Sequence, residues 1–271
     1  LGAIVSTFAS FLCAYSIYIQ DFYLYCFANF FIGFAMAFTH QYRFAVAEIV
    51  EKHLIPRAIS IILLLSIIGA LLGSNMVNFT KNFVNNHLYV GSYLCLAILT
   101  IIPFILFLFY KDQKLITKKK YISKKSIWNL LQNNQINQAI TSAGVGYVTM
   151  SFIMTATPIS MHILDDISLY KTSIVIQLHV VGMFLPSLFT GELIKKYGHT
   201  KIIYAGVIIF TLSIFINFVH QSYYNYMLGL ILLGIGWNFT FVTGTSLLVI
   251  SYDEEDKFKA QGLNDFIVFS S

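Results

Sequence analysis

The stretch Ile61-Ile-Leu-Leu-Leu65-Ser-Ile-Ile-Gly69-Ala-Leu-Leu-Gly73 carries no charged residue on any side of a helix. The stretch 96–109 is built the same way. A helix of a soluble domain buries one stripe and gives water the rest of its surface. Neither stretch has a face that suits water, so both suit hydrocarbon. Working outward, apolar runs recur at 1–19, 22–47, 56–79, 88–110, 138–162, 172–193, 201–219 and 223–250, and a ninth begins at 260. About 20 apolar residues in a helix cross ~30 Å of hydrocarbon. Lipid offers the backbone no hydrogen-bond partner, so runs of this length are expected to be helices. The expected fold class is all-α, a polytopic membrane protein.

Composition and charge agree. The chain is 57% hydrophobic and 11% charged, against about 25% charged residues in soluble domains, and its mean hydropathy is +0.73. The net charge of +5 is placed unevenly. If the loop at Asp21 faces outward, the segments 48–57, 111–125, 195–201 and 251–259 all face the cytoplasm. Counting Arg43, that side holds 15 of the 17 Lys and Arg, and the other keeps Lys81 and Lys171. This asymmetry orients the spans. The basic excess therefore points to topology and anionic lipid at 111–125 rather than to nucleic acid.

Cys13, Cys26 and Cys95 lie in apolar runs without paired spacing, which fits small buried hydrophobes and neither a disulfide framework nor a metal site. No basic segment precedes the first apolar run, so no signal peptide is indicated. Leu1 reads as a point inside a larger protein. One long polar segment, Lys111 to about Asn137, divides the chain. It opens with seven lysines in 15 residues and continues as Ile127-Trp128-x-Leu130-Leu131. That spacing suits a short interfacial helix with Trp128 at headgroup level; a solvated loop fits 111–126 equally well. Gly33-Phe-Ala-Met-Ala-Phe38-Thr39 and Gly234-Ile-Gly-Trp-Asn-Phe239-Thr240 are similar, and each precedes a charged loop and then Arg57-Ala58 or Lys259-Ala260. A repeat of this kind is a recurrent feature of secondary transporters.

The most specific motif is Gly191-Glu-Leu193-Ile-Lys195-Lys196-Tyr197-Gly198-His199-Thr200-Lys201. It resembles the cytoplasmic Gly-x-Leu-x-Asp-Arg-x-Gly-Arg-Arg loop of the major facilitator superfamily, in the form carried by the C-terminal half. Lys195 stands where that family has Asp. The resemblance implies a bacterial-type, two-bundle helical transporter covered nearly throughout. Residues 1–110 would be an N-terminal bundle (helices three to six), 111–137 a cytoplasmic linker, and 138–271 a C-terminal bundle (helices seven to eleven). The first two helices and the last would lie outside this chain. Gly69-x-x-x-Gly73 resembles the fifth-helix glycine motif, with Ser74 in place of the usual Pro. Asn29 stands where many proton-coupled members carry an Arg before Gly33.

The same resemblance implies that spans 22–47, 138–162 and 223–250 line a central cavity. Ionisable groups within spans are costly and so default to functional candidates. Thr39-His40-Gln41-Tyr42-Arg43, with Glu48 after it, is the densest polar patch. Arg43 could grip an anionic solute, pair with Glu48 as a gate latch, or snorkel to the interface. His40 suits either proton exchange or a structural hydrogen bond. Trp237, Asn238 and Thr245 could stack on and hydrogen-bond a solute, with Asn238 and Thr245 two turns apart on one face; interhelical glue is the competing reading. Asn29, Tyr147 and Thr155 are further binding candidates, and Pro158 is a candidate kink. His179 suits a structural hydrogen bond, and Asp265 a pairing with a loop lysine. Glu48, Gly191, Lys195, Lys196, Gly198 and Lys201 form the gate and loop motif.

The function expected is secondary active transport of a small organic solute by alternating access, ion- or proton-coupled, as a symporter or antiporter. The setting would be a bacterial inner membrane, the protein a monomer without cofactor. A non-transporting remnant is a second class and a membrane-embedded enzyme a third. The enzyme class would need His-Glu-x-x-His or paired carboxylates at one bilayer face; Asp165-Asp166 reads instead as a solvated turn.

Overall fold

The computed structural model describes residues 1–109, 126–219 and 221–270. The lysine-rich stretch 111–125 lies outside the described residues, as does the side chain of Ser74. Among them every regular element is helical. The helices are α1 (Gly2–Tyr18), α2 (Phe22–His40), α3 (Tyr42–Glu48), α4 (Ile55–Thr80) and α5 (Val90–Leu108). They continue as α6 (Ile127–Leu131), α7 (Asn134–Ile159), α8 (Leu169–Phe184), α9 (Ser187–Tyr197) and α10 (His199–Val219). The last are α11 (Tyr223–Trp237), α12 (Thr243–Ser251) and α13 (Lys257–Ser270). Six stretches are long and apolar enough to cross a membrane: Phe22–Glu48, Lys52–Val77, Asn134–Leu164, Leu169–Tyr197, His199–Val219 and Tyr223–Ser251. Gly2–Tyr18 and Val90–Leu106 are shorter apolar helices.

The faces of α10 show which solvent the protein is built for. Its buried residues include Gly206 and Ser213, while Tyr204, Ile208, Phe215 and Phe218 are exposed. Ile202, Ile203 and Phe210 are buried as well, so large apolar side chains occupy both faces of this helix, and a helix apolar all round is the pattern of a membrane span. The protein is an integral, multi-pass membrane protein.

The chain divides into two compact units. In one, residues 1–42 and 71–119, α1 packs against both α2 and α5. Two side-chain pairs tie these helices: Thr7 with Thr100 at 2.9 Å, and Tyr25 with Tyr93 at 2.7 Å between hydroxyls. Cys13 is buried here, whereas Cys26 is exposed and Cys95 half-buried. In the other unit, residues 43–70 and 120–271, α11 and α12 form the centre. Their span is 67% buried, against 39% or less for the other spans. Glycines make that position possible. A Cβ on Gly234 would meet the His179 carbonyl oxygen at 2.5 Å, and one on Gly236 would meet the Phe210 ring at 2.9 Å. By contrast, among the described residues open space lies beside Gly33, Gly69 and Gly73.

Several apolar runs are interrupted. The run 22–47 turns at Gln41, and the run 172–193 breaks at Pro186, where α8 ends and α9 begins. Beyond Pro158, Ser160–Leu164 widens into a π-turn. Proline removes an amide donor, and the wider turn lets the carbonyls around it pair again. A second π-turn, Asn238–Val242, joins α11 to α12. The short helix expected at Ile127–Leu131 is present, with Trp128 70% exposed.

Candidate functional site

Arg43, in the first turn of α3, is 3% exposed. Its Nη2 donates to Oδ1 of Asp265 on α13, and the side chain of Asn264 donates to the same oxygen at 3.0 Å. The guanidinium lies over the rings of Phe44 (4.7 Å), Phe241 (4.6 Å) and Phe269 (5.9 Å). Tyr147 closes the group edge-on to Phe269 at 5.1 Å, and Trp237 stacks on Phe241 at 4.6 Å. An unpaired guanidinium in such a place would cost several kcal/mol. The Asp265 carboxylate and the ring quadrupoles offset that cost, the rings contributing about 0.5–2 kcal/mol when desolvated. Two donors, Nε and Nη1, have no acceptor among the described residues.

This geometry corrects the sequence reading at three points. Arg43 is buried rather than snorkelled. Its partner is Asp265 rather than Glu48. Glu48 instead accepts from Lys257 Nζ at 2.5 Å. The helices α3 and α13 are therefore joined twice with opposite polarity, Arg43 to Asp265 deep in the protein and Glu48 to Lys257 nearer the surface. Next to the outer pair, burial pushes the Tyr252 phenol up to about 12, opposed by a hydrogen bond from Gln261 Nε2 at 2.7 Å and reinforced by Glu48 and Glu254. The phenol thus stays neutral at physiological pH. Because Glu48 is 38% exposed, water screens its pair. Glu48→Gln should cost no more than about 1 kcal/mol of stability, read as a small shift in thermal unfolding midpoint.

The loop motif is explained by contact. Gly191 on α9 lies against the start of α4: a Cβ there would meet Arg57 Cα at 2.8 Å and its N at 3.0 Å. Gly198 ends α9 with φ +84°, a conformation that favours glycine. Lys195 and Lys196, both exposed, occupy the last turn of α9, where cations complement the helix dipole. Lys201 is exposed in the first turn of α10. Glu192 lies 3.9 Å from Arg57 with both side chains exposed.

The remaining candidates are dispersed. Asn29, His40 and Gln41 belong to the other unit; all three are half-buried, and Asn29 Nδ2 donates to the Tyr25 carbonyl at 2.9 Å. Thr155 is exposed and donates to the Ser151 carbonyl of its own helix. Asn238 is enclosed: its amide nitrogen donates to Met183 O (2.6 Å) and Ser187 Oγ (2.7 Å), and its oxygen accepts from Thr190 (2.7 Å). Thr245 is buried, and its hydroxyl has no partner among the described residues. The π-turn at Asn238–Val242 lies between Asn238 and Thr245. His179 makes a structural hydrogen bond, Nδ1 to the Leu230 carbonyl at 2.8 Å. Asp165 does more than solvate a turn, accepting from the Tyr226 hydroxyl at 2.6 Å.

Sequence reasoning missed the phenylalanines around Arg43 and the role of Asp265. The available signal was that Arg43 and Asp265 both lie inside apolar runs, where opposite charges stabilise one another. Among the described residues no group of three or more His, Cys, Asp or Glu side chains could hold a metal ion.

Comparison with known proteins gives this arrangement its context. The chain is 30% identical over 277 residues to the riboflavin transporter RfnT of Brucella anthropi, covering 100% of this chain and 68% of that protein. It is 29% identical over 257 residues to the uncharacterized MFS-type transporter YddS of Bacillus subtilis, covering 87% of this chain and 58% of the relative. A second Bacillus subtilis protein, the uncharacterized MFS-type transporter YdeG, is 36% identical over 124 residues, 45% of this chain and 28% of the relative. The sequence profile of the Major Facilitator Superfamily matches residues 1–271. With its apolar helices and the Gly191–Lys201 loop, the chain belongs to the major facilitator superfamily of membrane transporters.

Proposed function

We propose that this chain carries a small amphipathic organic solute by alternating access, coupled to an ion or proton gradient, and that the double ion pair between α3 and α13 is a latch on its lysine-rich side. The latch is the observation that carries the reading. A guanidinium and a carboxylate buried together weigh little for net stability, yet separating them is expensive. Such a pair suits an element that has two arrangements and must hold one of them firmly. On this reading residues 1–110 and 138–271 are the two bundles, 111–137 is the cytoplasmic linker, and the protein works as a monomer in a bacterial inner membrane. Asn29, His40, Gln41, Tyr147, Thr155, Trp237, Asn238 and Thr245 are the solute- and proton-facing candidates. Lys195, Lys196 and Lys201 hold the loop at the headgroups.

The similarity to a riboflavin transporter makes riboflavin the first solute to test. In sealed vesicles containing the chain, riboflavin uptake should saturate and should collapse on adding a protonophore. Saturable uptake indifferent to every imposed ion gradient would remove the coupling. The transport reading fails if vesicles holding folded chain take up riboflavin, and a panel of similar amphipathic solutes, no faster than empty ones.

A further inference from the structure

A wedge-shaped pocket of about 450 Å³ opens between α4 and α5, within the unit of residues 1–42 and 71–119. Its point lies where a Cβ on Gly91 would collide with the Thr80 carbonyl oxygen, so α4 and α5 meet there. Two turns back along α4, among the described residues, nothing stands within 4 Å of a Cβ on Gly73. Gly73, Met76, Val77 and Thr80 line the pocket from α4, and Ser92, Cys95, Leu96 and Leu99 from α5. Each set follows the i, i+3, i+4, i+7 spacing of a single helix face. At 1.5 Å per residue the walls run about 10 Å. A volume of this size with mostly apolar walls and a few polar groups is that of a small-molecule site.

The polar groups set the chemistry of the occupant. No charged side chain is among the residues that line the pocket, so an ion would lose its water without gaining a partner. Thr80 is engaged locally: its Oγ1 donates to the Met76 carbonyl at 2.7 Å and lies 3.1 Å from Ser92 Oγ. Tyr25 and Tyr93, which also line the pocket, differ. Their hydroxyls are 2.7 Å apart, and either can be the donor. Two phenols bring two protons, and their shared hydrogen bond uses one. The second has no acceptor among the described residues, so the pair has one O–H to give to whatever fills the pocket. Their rings, edge to face at 6.0 Å, and the ring of Tyr89 make part of the wall aromatic, which favours another ring packed against it. An extended acyl chain needs about 15 Å, one leaflet of a ~30 Å core, and outruns the pocket. A flat ring system does not.

We infer that this pocket binds an uncharged, flat aromatic molecule, a carbonyl oxygen accepting from the tyrosine pair and the rings lying along Met76, Val77 and Leu96. The inference concerns binding alone and holds whether or not the occupant is carried across the membrane.

The probes are fluorenone and fluorene, flat tricycles that differ by the carbonyl, and a fluorenone bearing a carboxylate. Equilibrium dialysis against the full chain in detergent, with protein-free micelles subtracted, should show saturable binding of fluorenone, about fivefold or more tighter than fluorene. The carboxylate should show none. Tyr25→Phe and Tyr93→Phe should each keep the preference, because the remaining phenol still has its proton to donate. Tyr25→Phe/Tyr93→Phe should bring the ratio to within about twofold of unity. In a Cys26→Ser background fluorenone should slow alkylation of Cys95 by N-ethylmaleimide, and Gly73→Leu, which fills the pocket, should remove that protection. Equal affinity of the wild type for fluorenone and fluorene, a preference that survives in the double variant, or Cys95 alkylation indifferent to fluorenone overturns the inference. So does alkylation slowed by added phosphatidylcholine instead, the mark of an acyl chain in the pocket. The affinity ratios decide alone if Cys95 does not react, and the wild-type ratio with Cys95 protection decides if the double variant does not fold.

Discussion

Arg43→Met should abolish solute flux and lower the stability of the detergent-solubilised protein by about 3–5 kcal/mol, the cost of leaving a buried charge without its partner. Asp265 is only 15% exposed in its side chain, so little water can replace the guanidinium. Arg43→Lys should lie between the two. It keeps a cation for Asp265 but loses the planar fork and the broad contact with Phe241 and Phe44. The informative variant is Arg43→Met/Asp265→Leu. Removing both charges restores an uncharged interior, and buried ion pairs replaced by apolar groups are often neutral or stabilising. Its thermal midpoint should therefore recover to wild type or above while flux stays abolished. Recovery of both would reduce the pair to a structural fitting. Loss of stability in the double variant comparable to the single one would mean that the rings around Arg43, rather than its charge, organise this part of the fold.

The outer pair sharpens that contrast. Glu48 and Lys257 meet at 2.5 Å, closer than many strong ion pairs, yet Glu48 is 38% exposed. Distance is the wrong guide to their energies, because dielectric surroundings set what a contact contributes. Strength is concentrated in Arg43 and Asp265, and orientation is shared by both pairs. The proposed latch would open from its wet end first.

What could be read before the fold was known divides by the range of the physics involved. Spans need only a run of apolar side chains about 20 residues long, which is local, so α2, α4, α7, α10 and α11 fall close to their expected places. The short helix at Ile127–Leu131 and the π-turn after Pro158 are equally local. The partner of Arg43 is not: 222 residues separate it from Asp265, and spacing along the chain says nothing about that contact. The π-turn at Asn238–Val242 lacks proline and has no compositional mark. It follows from tertiary contacts such as the hydrogen bond from Ser142 to the Thr240 carbonyl at 2.9 Å.

Gly191→Val is the second large effect. Gly191 is one of two glycines in the motif that marks the family resemblance, and each answers a different demand. Gly198 is needed for its dihedral angle, whereas Gly191 is needed for space. Its ideal Cβ would stand 2.8 Å from Arg57 Cα and 3.2 Å from Pro56 C. Those are backbone atoms at the start of α4 and cannot rotate away as a side chain could. Overpacking typically costs about 1–3 kcal/mol, and here relief requires α9 and α4 to separate. Gly191→Ala should cost about 1 kcal/mol and leave measurable flux, and Gly191→Val about 3 kcal/mol or more with flux lost. Unfolding midpoints and vesicle uptake measured together would check both. Because Glu192 and Arg57 are exposed and 3.9 Å apart, Glu192→Gln should change neither by much, which separates close approach from charge as the reason this loop holds α9 to α4. Should Gly191→Val prove as stable and as active as the wild type, the two helices do not meet here in the working protein, and the loop motif would need a different physical account.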